Sequence, residues 1–379
     1  MNIRLLFSYI VFLLLFASCT RKELPSVHLI NLENRKDALM TDVFSDLSVI
    51  PLKANGNYVS VWSNLIVADN YFILSDNRNI IHVYKKDGTF VSNSERKLGK
   101  GTEEYINMIS FSFNPYSEYI EVVTHNKIIY YDTSFNFIRN TSVPTKKANK
   151  SGNGFVYYDR IYDLSETVHA LIPTSISEKA NRIIIFDSNK EIILKEIPFD
   201  DILADVSMQY QCFMQPSNDS LIFFPPRLSN YSYLFDKTNY SIEKYMLFDL
   251  GKNKLTANNI ESIGSKDLNN YLLESDKDMP ICYFQTQNKI VLIKKQGNKI
   301  SNWQLVIHDI LNKQNYSIDF FKDDEMQMPI VSCSDNNSLY AVVDKENIES
   351  IISNFDNKIL DVTDSLEDGD MALLKFTLK

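Results

Sequence analysis

The chain has 379 residues, 44% hydrophobic and 23% charged, with a formal charge of −9. This is ample material for a large core, and all-β folds of this size often form one unit. An acidic chain without clustered Lys or Arg is a poor partner for nucleic acid, since phosphate binding depends on concentrated positive charge. The densest basic run, TKKANK at 145–150, reads as a solvated loop.

Residues 1–18, MNIRLLFSYIVFLLLFAS, carry one cation, Arg4, then an apolar run from Leu5 to Ser18. A membrane-spanning helix needs about 20 apolar residues, so this run fits the core of a signal peptide better. It ends in FASC, where the small residues Ala17 and Ser18 precede Cys19. The arrangement resembles a bacterial lipobox, although Phe16 stands where Leu is usual. That resemblance makes Cys19 the site of lipid attachment, and two or three acyl chains there would anchor the protein stably. By the same resemblance, Thr20 in place of Asp points to the outer membrane. A lone Glu23, rather than an acidic run, points to its periplasmic face.

Residues 19–41 read as a tether with a short strand, and 42–379 as one repeating domain. IHVYKKDGTFV at 81–91 aligns without a gap on IIYYDTSFNFI at 128–138 and IIIFDSNKEII at 183–193. SYLFDKTNYSI at 232–242 follows with a slightly longer turn, and LVIHDILNKQNYSI at 305–318 repeats the form. Each copy is an apolar strand ending in an aromatic position, a polar turn and a second strand. The anchors Tyr84, Tyr131, Phe186, Phe235 and His308 lie 47, 55, 49 and 73 residues apart. A propeller blade occupies about 40–50 residues, so the first three intervals hold one blade each. The long fourth interval holds LTANNIESIGSKDLNNYLLES at 255–275, whose apolar spacing predicts a helix inserted between blades 4 and 5.

Residues 331–379 supply a sixth unit with a short helix near 345–353. The predicted fold is therefore an all-β, six-bladed β-propeller of four-stranded blades. LSVIPL at 47–52 and the final MALLKFTLK are expected to share a blade and close the ring. Segments such as NRIIIFD are apolar on both faces, as blades packed on both sides require. A β-sandwich, the alternative, would alternate more cleanly.

YFILSDNRNIIHVYKKDGTFVSN followed by RKLGKGTEEYINMISFSF resembles an NHL-type repeat, with a G-x-G-x-x-E-[YF] loop crossing to the next blade. Here that loop is Gly99-Lys100-Gly101-Thr102-Glu103-Glu104-Tyr105, with Thr102 where the family usually has Pro. DVFSDLSVIPLKA at 42–54 and the closing LEDGDMALLKFTLK are similar to the terminal signatures of the six-bladed β-propeller lipoproteins of Gram-negative gut-type anaerobes. The resemblance implies the same fold and an envelope address.

No residue pattern selects a catalytic, cofactor-binding or metal-ligating set. The five histidines, His28, His82, His125, His169 and His308, lack the spacing of a zinc motif. Acidic stretches near 321–324 and 368–370 do not follow a calcium loop. Cys212, Cys282 and Cys333 stand singly and read as buried thiols. GKGTEEY could cradle phosphate only with Lys-Ser/Thr after the second Gly, so Gly99, Gly101, Glu104 and Tyr105 read as an inter-blade turn. In FFPPRLSNYSY at 223–233, Arg227 and Tyr231 are candidates for a ligand-facing pair able to stack on a sugar. The expected function is a non-catalytic, lipid-anchored binding or scaffold module for a glycan, peptide or envelope protein. The alternative is a lyase, hydrolase or lactonase with a metal held in the central channel.

Overall fold

The computed structural model describes residues 27–53, 59, 62–144, 157–173, 182–200, 209, 211–217, 220–226, 228–256, 259, 268–296, 299, 302–322, 325–352, 366 and 370–379. Before the first blade come β1 (His28–Asn31), β2 (Lys36–Asp37), one helical turn α1 (Met40–Val43) and β3 (Phe44–Leu52). Blade 1 is β4 (Trp62–Val67), β5 (Tyr71–Asp76), β6 (Ile81–Lys85) and β7 (Phe90–Asn93). Blade 2 is β8 (Ser110–Asn114), β9 (Tyr119–Val123), β10 (Lys127–Tyr131) and β11 (Phe137–Ser142). Blade 3 is β12 (Tyr158–Asp163), β13 (Val168–Pro173), β14 (Arg182–Asp187) and β15 (Ile192–Pro198). Blade 4 is β16 (Phe213–Ser217), β17 (Ser220–Phe223), β18 (Tyr231–Asp236) and β19 (Ser241–Asp249).

A helix, α2 (Leu268–Glu274), stands between blades 4 and 5 where the apolar spacing placed one. Blade 5 is β20 (Asp278–Gln285), β21 (Lys289–Gln296), β22 (Gln304–Asp309) and β23 (Gln314–Asp319). A small hairpin follows, β24 (Phe321–Lys322) with β25 (Glu325–Met326). Blade 6 combines β26 (Cys333–Ser334), β27 (Ser338–Asp344) and β28 (Met371–Leu378) with β3 from the start of the chain. Helix α3 (Lys345–Ile352) lies between β27 and β28. The protein is thus a six-bladed β-propeller. The ring closes on an antiparallel ladder in which Leu373 faces Ile50 and Phe376 faces Leu47.

The two-sided apolar strands have a direct cause: most of the hydrophobic clusters lie between blades. Ile73, Ile81 and Val83 of blade 1 pack with Ile120, Val122 and Ile129 of blade 2. Leu52, Tyr340 and Leu373 of blade 6 pack with Phe72, Leu74 and Tyr84 of blade 1. Each such side chain, fully buried, contributes about 1.5–3 kcal/mol from water exclusion.

The repeated hairpins are the third and fourth strands of their blades, and the turns of blades 2 to 5 share one device. Asp132, Asp187, Asp236 and Asp309, each just after its anchor, accept backbone N–H groups of the turn through Oδ1. A left-handed residue then ends each turn: Phe135 (φ 59°), Glu191 (55°), Tyr240 (50°) and Lys313 (53°), with Gly88 (83°) in the equivalent place in blade 1. The gap-free alignment of the third copy needs correction. Tyr84 and Tyr131 pair with Phe90 and Phe137, six residues on, whereas Phe186 pairs with Ile193, seven residues on. Blade 3 therefore carries the longer turn of blades 4 and 5, and Ile192 is left exposed.

The N-terminal segment contributes two strands. β1 lies parallel to β19 at the outer edge of blade 4, and β2 lies parallel to β23 at the outer edge of blade 5. Both cover ladder groups that would otherwise form open sheet edges.

Candidate functional site: a channel cavity and a buried carboxylate–histidine cluster

Propeller topology puts the first strand of every blade around the central channel, so residues far apart in sequence converge there. A cavity of about 370 Å³ opens among β4, β8, β12, β16 and β26, towards the end where β4, β8 and β12 turn back. Its polar wall includes Asn64, Ser112, Arg160, Gln211 and Ser334, and its aromatic wall Tyr71, Phe113, Tyr116, Tyr162 and Phe213. Several of these are held rigidly. Gln211 Oε1 accepts the Ser334 N–H at 3.0 Å, and its Nε2 donates to the Ser334 carbonyl at 3.3 Å. Arg160 donates from Nε to the Gln209 carbonyl (3.1 Å) and from Nη1 to its neighbour Asp159 (2.5 Å). Gln209 is itself buried and exchanges two hydrogen bonds with the backbone of Tyr283, tying this wall to blade 5. The ring of Tyr162 lies 4.8 Å from that of Phe213, while Tyr116 stands half exposed at the rim.

Behind Asp163, which also lines the cavity, lies a buried polar cluster between blades 2 and 3. Glu121 comes from β9, Asp163 from the end of β12 and His169 from β13, where it sits directly across the ladder from Asp163. His169 Nδ1 is 2.7 Å from Asp163 Oδ1 and 3.3 Å from Glu121 Oε2. His169 Nε2 faces Ser188 Oγ at 3.0 Å, and that hydroxyl donates onward to the Thr167 carbonyl. Asn114 Nδ2 donates to Glu121 Oε1 at 2.9 Å. Burial, and next the Asp163 carboxylate, hold Glu121 well above the ordinary carboxylate range. Burial and the Glu121 charge likewise push the Tyr130 phenol upward. Arg139 stacks on that phenol, 3.8 Å from its ring centre, and donates to Ser188 Oγ.

The sequence motifs fall elsewhere. Gly101 N–H donates to Glu104 Oε2 at 2.9 Å, and a Cβ on Gly99 would stand 1.9 Å from the same oxygen. Tyr105 is buried, and its hydroxyl donates to the Asn79 carbonyl (2.9 Å) beside Ser94 Oγ (2.5 Å). The loop is thus closed on itself by its own carboxylate. Tyr231 begins β18, a third strand, with its ring under Lys244 Nζ at 4.3 Å. Arg227 and Cys19 lie outside the described residues. His82 is buried against Asp76, His308 against Asn315, and the three cysteines are buried free thiols.

Sequence spacing missed the His169 cluster because its members lie on three strands of two blades. Two local signals existed. Glu121 is an acid within the apolar strand YIEVV, and Asp163 and His169 bracket the β12–β13 turn in YDLSETVHA.

A family profile described as "Domain of unknown function (DUF4934)" matches residues 25–370. No curated protein matches the chain. Among solved structures, a protein of Bacteroides fragilis NCTC 9343 classed as exported is similar with a TM-score of 0.72 at 16% identity, covering 93% of this chain and 99% of that one. A member of the DUF4221 family from Bacteroides vulgatus ATCC 8482 is similar with a TM-score of 0.53 at 11% identity, covering 89% and 98%. At such identities the likeness is one of fold. No helix among the described residues is long and apolar enough to cross a membrane.

Proposed function

The chain belongs to the DUF4934 family, and from that premise we propose that it is a non-catalytic binding module of the cell envelope whose channel cavity receives the end of a glycan. The observation that carries this reading is the cavity itself. Its 370 Å³ falls in the range of ligand pockets, which run from about 300 to 1,000 Å³. Aromatic faces such as Tyr116 and Tyr162 suit the C–H faces of a sugar ring, and neighbouring amides offer both donors and acceptors to hydroxyls. The fixed amides and guanidinium are oriented before a ligand arrives, which lowers the ordering cost of binding.

The lipobox-like Cys19 supports an outer-membrane anchor, with the periplasmic face favoured by the residues after it. Since β1 runs along the outer edge of blade 4, such an anchor would hold the ring by its rim and leave the channel mouth open.

The test is a glycan array probed with purified protein, followed by titration calorimetry on the hits. Tyr116→Ala and Tyr162→Ala are each expected to weaken binding roughly 2- to 12-fold, one aromatic contact's worth. Affinity unchanged in both variants would remove the cavity from the proposal. Release of product from any bound glycan would replace the binding module with an enzyme.

A further inference from the structure

We propose that Glu121, Asp163 and His169 form a binding site for a divalent transition cation, Zn²⁺ or Mn²⁺, at the seam between blades 2 and 3. Glu121, Asp163 and His169, from three strands, each offer one ligand atom within 4.8 Å of the others. Glu121 is fully buried, and its Oε2 makes no hydrogen bond, although His169 Nδ1 lies 3.3 Å away. A buried carboxyl oxygen without a partner costs free energy unless a proton or a cation occupies it.

The hydrogen bonds around the cluster set which atoms face inward. The Ser188 hydroxyl has one proton and gives it to the Thr167 carbonyl, so towards His169 it acts as an acceptor. On the other side of the ring, Nδ1 faces both carboxyl groups, 2.7 Å from Asp163 Oδ1 and 3.3 Å from Glu121 Oε2. The 2.7 Å contact needs a positive bridge between nitrogen and carboxylate, either a ring proton or a metal cation in its place. Asn114 occupies Glu121 Oε1 and turns Oε2 inward. Asn114 on Glu121 and Ser188 on His169 Nε2 are outer partners of the kind that fix ligand orientation in metal sites.

Distances fit the same reading. Ligand atoms about 2.0–2.2 Å from zinc lie roughly 3.3 Å apart in a tetrahedron, the spacing of His169 Nδ1 and Glu121 Oε2. The 2.7 Å pair with Asp163 must open by about half an ångström to admit the ion. One imidazole and two carboxylates suit Zn²⁺ or Mn²⁺ better than Ca²⁺ or Mg²⁺, which take all-oxygen shells. Asp163 lines the channel cavity, so a fourth ligand, a water, can enter from that side. The site stands independently of what the cavity binds.

The experiment strips the purified full chain with a chelator, dialyses it, and adds ZnCl₂ or MnCl₂ alone. Metal content by mass spectrometry and Tm by scanning fluorimetry are then read. The expected result is one equivalent of one of these ions retained through dialysis, with a raised Tm. His169→Ala and Glu121→Gln should each lose the retained metal and the Tm response while keeping the wild-type far-ultraviolet circular dichroism. Should either fail to fold, Asp163→Asn, at the cavity edge, gives the same readout, and a loss of at least 10-fold in affinity is expected. Stripped wild type that takes up neither ion and shows no Tm change overturns the proposal and makes the cluster a proton-sharing ion triad. Retention unaffected by Glu121→Gln and Asp163→Asn overturns it as well.

Discussion

Gly88 offers the most demanding test of how the ring closes. It sits at the tip of the β6–β7 turn with φ of +83°, and a Cβ there would stand 1.9 Å from the carbonyl oxygen of Pro51 on β3. β3 is the strand that completes blade 6, so the turn of blade 1 rests directly on the closing seam. Gly88→Ala imposes two costs. The left-handed backbone costs a non-glycine residue about 1–2 kcal/mol. Displacing a backbone carbonyl within a packed seam costs roughly 1–3 kcal/mol more, as overpacking does in cores. Unfolding entropy scales at about 2.1 cal/mol/K per residue, or ~0.8 kcal/mol per kelvin for 379 residues. The expected fall in Tm is therefore about 2.5–6 °C. Gly251→Ala is the control. It shares the left-handed φ, +84°, but its Cβ would meet only the side chain of Glu33, which can swing aside. That variant should lose only about 1–2.5 °C. Calorimetric scans of both would settle the matter. Equal losses in the two variants would refute the claim that the blade 1 turn bears on the closing strand.

Tyr105→Phe removes the hydroxyl that bonds Asn79 O and Ser94 Oγ, and should cost about 1–3 kcal/mol in urea unfolding because the buried carbonyl loses its donor. Glycan affinity should not change, since no residue of the loop lines the cavity; a stability unchanged by the substitution would contradict a structural role. Burial raises Asp309, but hydrogen bonds from Lys289 and Asn312 outweigh it and hold the carboxyl down at about 2, against an ordinary 3.8. A depressed carboxyl stabilises above its unfolded value and loses that contribution as pH falls through the folded one. The urea midpoints of wild type and Asp309→Asn should therefore differ most above about pH 4 and converge towards pH 2. A gap that stays constant over that range would argue against the ion pair as its source.

Much of the fold could be read from local chemistry. The aromatic-then-Asp pattern marks a hairpin turn because the carboxylate caps backbone N–H groups within a few residues of itself. Strands apolar on both faces follow from blades stacked on both sides. What local chemistry could not supply was turn length: the third copy matched the first residue for residue, yet its Asp-capped turn holds one residue more. Glu191 takes the left-handed position there with its side chain reaching across to Thr141 of blade 2.

By itself, then, the sequence determined the blade count and the ring, because each rests on contacts between residues near in the chain or on a repeat of them. Only the tertiary structure decided where chemistry could occur. The cavity is assembled from the first strands of five blades, and the cluster of Glu121, Asp163 and His169 from two. Radial packing brings these side chains together at distances that no spacing along the chain encodes.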